Sequence, residues 1–311
     1  MIGSINMAEY SWKESPPDIE KTILKVPSDF LEHCPILLNS DNTINTDLIQ
    51  SSSNQPFINQ LTSWSSEQQS YLEKKPGALL IKVNHDELND EQLKSLYYII
   101  SGGFGVLNNR YGELFDVKDK NLDYKKEAIP VSKTNASTGF HTDSTALEYS
   151  PDIVGLLCVQ SAKTGGESIL ANATDLYSWM KQLYPEDLDI LTEPIIRDVI
   201  TPGSDTDIEA IKKNRFPVFS IVNGVFKFRY MRYWIISGHN RCNSEISPEL
   251  MRALDRIEEF FQKKENLVFY RMVRGDMLFV NNNFICHNRT EYQDYEEAER
   301  KRTLVRTWIN Q

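Results

Sequence analysis

The chain is short of the residue types that usually mark metal and redox sites. Its 311 residues include 5 histidines and 4 cysteines. Cys34, Cys158, Cys242 and Cys286 are widely spaced and form no CxxC pair. That spacing argues against a disulfide framework and predicts reduced thiols in a cytoplasmic protein. No apolar run approaches the roughly 20 residues that span a bilayer. Met1 to Pro17 is polar and lacks the apolar stretch of a secretory signal. Positive charge is scarce as well: 34 Lys and Arg stand against 44 Asp and Glu, a net charge of −10. Non-specific nucleic-acid binding needs a basic footprint, so that class is excluded. The expected partner is a small molecule rather than a nucleic acid or a membrane, with homo-oligomerisation left open. The chain contains no internal repeat.

What is present is ordinary globular material, 40% hydrophobic and 25% charged. A chain of this length buries roughly 75% of its unfolded surface, so a large core needs no staples. Residues 1–75, rich in Ser, Asn, Gln and Pro, read as an N-terminal extension of helices and loops packed on a core domain spanning 76–311. Residues 77–83 read as a buried strand. Asp86 to Ser101 follows as an amphipathic helix with Leu88, Leu93, Leu96, Ile99 and Ile100 on one stripe. Asn108 to Thr138 reads as a long surface excursion. Strands are expected at 153–160 and 168–173, then a helix over Asp175 to Leu191. Asn223-Gly224 marks a hairpin between 216–221 and 225–230. Ser247 caps a helix to Lys264, with Pro248 at its first position. Further strands are expected at 267–273, 276–280 and 302–309. Many short strands with few helices predict a mainly β fold, an antiparallel barrel or jelly roll decorated by flanking helices.

The sharpest local feature is Gly139-Phe140-His141-Thr142-Asp143. In a strand, residues i and i+2 share a face, so His141 and Asp143 present an imidazole and a carboxylate together. A neighbouring His and Asp are more often a surface or structural pair, so a metal reading needs a third ligand. His287, beyond the apolar run Leu278-Phe279-Val280, is the best-placed candidate. His33 and His85 lie in or beside helix-like stretches, and His239 in a loop. Two histidines and a carboxylate would form a facial site with three open positions on an octahedral iron.

Arg302, Leu304, Arg306 and Trp308 share one face of a C-terminal strand; Thr303, Val305 and Thr307 share the other. If the first face is interior, two buried guanidinium groups demand anions. If it faces solvent, they demand nothing, and periodicity alone does not decide. Gly165-Gly166-Glu167-Ser168 is a turn entering a strand, and Ser168 either donates inward or sits on the surface.

In this order, the HxD segment, the Gly-Gly turn with Ser168, and His287-Asn288-Arg289 followed by Arg302-x-x-x-Arg306 resemble the taurine dioxygenase family of iron(II)- and 2-oxoglutarate-dependent oxygenases. The resemblance covers roughly Gly77 to Asn310 and implies a double-stranded β-helix (jelly roll) core. It implies Fe(II) held by His141, Asp143 and His287, with 2-oxoglutarate and O2 as cosubstrates. Arg302 would pair with the distal carboxylate of 2-oxoglutarate, Ser168 would stand in for the usual threonine, and Arg306 would grip a substrate anion. Asn281-Asn282-Asn283 departs from the family's frequent Asp-Asn pair. The presence of Asp143 disfavours halogenation. The implied substrate is a small carboxylate-bearing molecule, an amino acid or an amino-acid-derived intermediate. Hydroxylation comes first, with desaturation, epoxidation or cyclisation open to the same chemistry. An internal anion such as Glu148 or Asp276 is the competing partner for Arg306. Arg229 and Arg232 are either further polar contacts or surface residues. Asn108–Thr138 and Thr201–Arg215 are candidate lids. The rival functions are a non-catalytic jelly-roll binding or sensor module and a cupin-like metal hydrolase or isomerase.

Overall fold

The strand expected near residue 78 forms at Ala78–Lys82, and the rest of a large sheet is laid down around it. The computed structural model describes residues 5–13, 17–19, 23–83, 88–118, 139–144, 150–198 and 207–311. The large sheet runs Ile23–Lys25, Ala78–Lys82, Asp276–Asn281, Ile153–Gln160, Thr303–Asn310 and Val106–Leu107 in spatial order. Phe115–Val117 also pairs with the C-terminal strand, within the stretch expected to be a surface excursion. All pairs are antiparallel except Ile23–Lys25 with Ala78–Lys82. A smaller sheet runs Leu267–Tyr270, Ser168–Asn172 and Ile285–Arg289.

The two sheets face each other because the chain passes repeatedly between them. Ile153–Gln160 leads through the Gly-Gly turn to Ser168–Asn172. Leu267–Tyr270 returns to Asp276–Asn281, which leads through Asn282–Phe284 to Ile285–Arg289. Alternation along each strand of the large sheet then sorts side chains to two cores. Leu79, Ile81, Met277, Phe279, Val305 and Ile309 pack with Leu93, Leu96, Tyr97 and Ile100 of the helix Asp90–Gly102. Leu80, Val154, Leu278 and Leu304 face the other way, into a core shared with Leu170 and Ile285 of the small sheet. With the Val305 face covered by a helix, the Arg302–Leu304–Arg306 face is turned between the sheets. That decides the question periodicity left open.

Several boundaries differ from expectation for identifiable reasons. The helix expected from Asp86 starts at Asp90, because Asn89 and Gln92 form a reciprocal capping box; Leu88 stays outside it, buried. The helix expected over Asp175–Leu191 is two helices, Ala173–Leu183 and Pro185–Leu191. Pro185 supplies no N–H to continue the first, and it opens the second at the position where that loss costs nothing. The hairpin forms as Phe219–Val222 with Val225–Phe228, Asn223 and Gly224 both taking positive φ of 51° and 80°. Within Thr201–Arg215, the described part holds a short helix, Ile208–Lys213; residues 119–138 and 201–206 of the candidate lids, and His85, lie outside the described residues. Among the described residues, no helix is long and apolar enough to cross a membrane.

Candidate metal centre

Backbone pairing assembles the site before any side chain is considered. His141 is not in a continuous strand, as its spacing suggested. It forms isolated antiparallel bridges with Met231 on one side and His287 on the other. His141 and His287 exchange N–H···O bonds at 3.0 and 2.9 Å, which fixes their rings 4.4 Å apart. Asp143 follows at a bend held by Asn282. The Asn282 Oδ1 accepts from the Asp143 N–H at 2.8 Å, while its Nδ2 donates to the carbonyls of Asp143 and Pro151. The run that departs from the family pattern therefore pins the HxD segment in place.

The side chains converge. Ligand atoms of His141, Asp143 and His287 all lie within 4.8 Å of one another. The Oδ1 of Asp143 is 3.6 Å from the Nε2 of His141 and 3.3 Å from that of His287. Facing the Gly139 carbonyl at 2.9 Å, the Nδ1 of His141 carries the proton there, which leaves the Nε2 lone pair pointing inward. Burial holds the His141 pKa down to about 4, reinforced by His287 and opposed by Asp143. At neutral pH its Nε2 is an unprotonated donor. Burial pushes Asp143 upward, but Arg306 and the two histidines outweigh it and keep the carboxylate well below its usual range. Its second oxygen, Oδ2, accepts from the Trp308 indole N–H at 2.6 Å and faces Arg306 Nη1 at 3.2 Å. Two imidazole nitrogens and one carboxylate oxygen, with the second oxygen occupied, suit a facial metal site. The other described histidines do not compete: His33 is exposed, and the His239 Nδ1 is engaged by the Ile235 carbonyl within its own helix.

The triad lies at one end of a cavity between the sheets, lined by Val154, Leu156, Leu170, Leu278, Leu304 and the remaining residues below. Arg302, Ser168, Arg289 and Arg306 also line it. Arg302 is 4% exposed, and its Nη1 has no hydrogen-bond partner among the described residues. Its guanidinium sits 4.9 Å from the Tyr292 ring centroid, as does that of Arg289. Burial lowers the pKa of Arg302, partly opposed by Tyr292. The Gly-Gly turn is built around it. Gly165 and Gly166 take φ of +70° and +72°, and a Cβ on Gly166 would stand 3.2 Å from Arg302 Nε. Ser168, buried, opens the small-sheet strand at the cavity wall.

Asp276, one internal partner anticipated for Arg306, is engaged elsewhere. Asp276 pairs with Lys82 and accepts from Tyr270 and the Val273 N–H, Glu148 lies outside the described residues, and Arg306 faces Asp143. Arg232 pairs with Asp255, and Arg229 lies over the Phe216 ring, so neither lines the cavity. Sequence reasoning missed the roles of Asn282, Trp308 and Arg289. Trp308 was on the correct strand face, but nothing local marked its N–H as a donor to a residue 165 positions away.

A family model described as taurine catabolism dioxygenase TauD, TfdA family matches residues 57–308. FR-33289 synthase of Streptomyces rubellomurinus is 34% identical over 214 residues, 67% of this chain and 60% of that protein. The chain thus spans about three-fifths of that relative's length. Among solved structures, an asparagine oxygenase in complex with Fe(II), 2S,3S-3-hydroxyasparagine and succinate superposes with a TM-score of 0.66 at 15% identity, covering 93% of each chain. The non-heme iron oxygenase OrfP, in complex with Fe and alpha-ketoglutaric acid, gives 0.64 at 13% identity over 93% of this chain and 94% of its own. These structural likenesses bear on the fold.

Proposed function

Because the chain belongs to the taurine catabolism dioxygenase TauD, TfdA family, we propose that it is an iron(II)- and 2-oxoglutarate-dependent oxygenase acting on a C–H bond of a small, carboxylate-bearing molecule of the amino-acid class. The observation that carries the reading is the juxtaposition in one cavity of the His141–Asp143–His287 donors and a buried arginine whose Nη1 has no hydrogen-bond partner among the described residues. A buried guanidinium with an unsatisfied nitrogen is costly, and a carboxylate is its natural complement. Iron(II) with 2-oxoglutarate supplies the oxidising chemistry when bound. His141 and His287 would hold the metal through Nε2, and Asp143 through Oδ1. Arg302 would grip the distal carboxylate of 2-oxoglutarate from the cavity wall, with Ser168 adding a hydroxyl donor. Val154, Leu156, Leu170, Leu278 and Leu304 keep the intervening space apolar and exclude water.

Arg306 is the anchor assigned to the substrate. It lies on the metal side of the cavity, 18% exposed at the side chain, and its charge is only shared with Asp143. With Arg302 assigned to the cosubstrate, Arg306 is left on the cavity wall as the cation for a substrate carboxylate. The amino-acid class is supported by relatives of this architecture whose bound ligands are hydroxyasparagine and hydroxy-L-Arg. The oxygenase domain is assigned to 76–311 as a double-stranded β-helix with 1–75 laid against it. In support, the two sheets face across the cavity, and Trp12, Leu37, Leu61 and Leu72 are buried against the cores.

The test is a screen of amino acids and their derivatives with Fe(II), 2-oxoglutarate and air, reading succinate. Substrate-dependent succinate release is expected, together with a coloured anaerobic complex of protein, Fe(II) and 2-oxoglutarate. A metal hydrolase would give neither, and a sensor would give the complex without turnover. Either outcome would replace the oxygenase reading.

A further inference from the structure

Two histidines and one monodentate carboxylate leave three positions on a six-coordinate metal; a carboxylate binding through both oxygens would leave two. Aspartate does not settle this by itself, because its terminal torsion is broad and roughly two-fold. In this chain a neighbouring side chain settles it. The Trp308 indole N–H reaches Asp143 Oδ2 at 2.6 Å and leaves Oδ1 facing both Nε2 atoms. Trp308 is well fixed for the task. It lies opposite Val154 in the centre of the large sheet, its carbonyl accepts from the Asn108 N–H at 2.8 Å, and its ring packs edge-on against Tyr111 at 5.4 Å. The other group on Oδ2, Arg306, is a long side chain whose guanidinium rests 4.9 Å from the Trp308 ring centroid and 5.1 Å from that of Phe115.

On the function proposed above, we propose that Trp308 is the positioning residue of the metal centre: its indole N–H holds Asp143 to a single ligating oxygen and continues to hold it when Arg306 turns to a substrate carboxylate. The two donors on Oδ2 thus have different tasks. A substrate anion competes for Arg306, which is charged and bears several donors. It has no comparable claim on an indole that has one N–H and no charge. Substrate can then engage Arg306 without releasing the ligand.

Trp308→Phe keeps the ring that packs on Tyr111 and Arg306 and removes the N–H. Co(II) affinity is measured by calorimetry on the full chain, with 2-oxoglutarate affinity of the Co(II)-loaded protein measured next. Trp308→Phe is expected to lose about 10- to 100-fold in Co(II) affinity, the range seen when groups supporting metal ligands are removed. Its 2-oxoglutarate affinity should fall too, because a two-oxygen Asp143 occupies a position the cosubstrate needs. Arg306→Gln is expected to weaken Co(II) less than Trp308→Phe does. Nitrogen-15 spectra give an independent readout. The indole resonance missing from Trp308→Phe should shift when the wild-type protein takes up Zn(II), and the other four indoles should persist in the variant as evidence of an intact fold. Unchanged Co(II) affinity in Trp308→Phe, or an indole resonance indifferent to Zn(II), would overturn the positioning role while leaving the oxygenase reading intact. Wild-type protein that binds neither metal would instead overturn the oxygenase reading and this role with it.

Discussion

His141 and Asp143 are pushed in the same direction, toward lower pKa, by different balances of burial and charge, and the two shifts act in separate pH windows. For His141 the folded value, about 4, lies below the ordinary 6.5. Between those values the unfolded chain takes up a proton that the folded chain refuses, so stability falls as pH drops through that interval. At roughly 1.4 kcal/mol per unit the loss is on the order of 3 kcal/mol. Asp143 acts lower: its stabilisation is present above the ordinary carboxylate range and is lost as pH falls below it. Urea unfolding of metal-free protein between pH 7 and 4.5 should therefore show a slope that His141→Gln removes; equal slopes would place the proton elsewhere. His287→Ala should abolish Co(II) binding with little change in far-ultraviolet dichroism, and retained binding would remove it from the ligand set. Arg302→Ala should weaken 2-oxoglutarate by roughly 2–5 kcal/mol while leaving metal affinity nearly unchanged. Equal loss of both in a binding titration would point to a structural role. These residues were legible because each belongs to a short pattern of chemically distinctive types. Asn282 and Trp308 were not, since an amide in a polar run and an aromatic in a strand have many uses, and only a partner across the fold selects one.

Among the elements, those governed by local chemistry were readable and those governed by distant partners were not. Ser247-Pro248 opens its helix as expected because the Ser247 hydroxyl accepts from Leu250 N–H at 3.1 Å, a purely local event. The HxD segment has no such local device. Its conformation depends on Asn282, which makes bonds to Asp143 and Pro151 across more than 130 residues. Asn282→Ala should therefore leave buried backbone groups at Asp143 and Pro151 unpaired. At about 1–3 kcal/mol for each of these three groups, a total cost of roughly 3–9 kcal/mol in chemical unfolding is expected. A loss within a few tenths of a kcal/mol would show that the bend is held by something else.

Across the whole molecule, the N-terminal segment contributes to the fold at points far from itself. Trp12 is 3% exposed, its backbone N–H donates to Asp175 Oδ2 at 2.8 Å, and its indole N–H donates to the Pro76 carbonyl at 2.9 Å. Ile23–Lys25 forms one edge of the large sheet. Trp12→Ala should lower stability by about 3–5 kcal/mol, read as a shift in urea midpoint; a neutral effect would mean the segment only rests on the surface. Composition alone could not show this, because a Ser- and Asn-rich stretch with scattered aromatics looks much the same whether docked or loose. The C-terminal strand has a different kind of influence, through counting. Leu304 and Arg306 face the cavity, Trp308 on the same side reaches Asp143, and Val305 on the other side packs with the helix. Adding one residue ahead of them would trade Arg306 and Trp308 for Val305 and Thr307 in a single step, and deleting one would put Thr307 and Ile309 there. New specificities can thus arise on this scaffold by exchanging letters within the strand or by changing the length of the exposed Glu296–Arg300 approach to it, but not by changing the length of the strand.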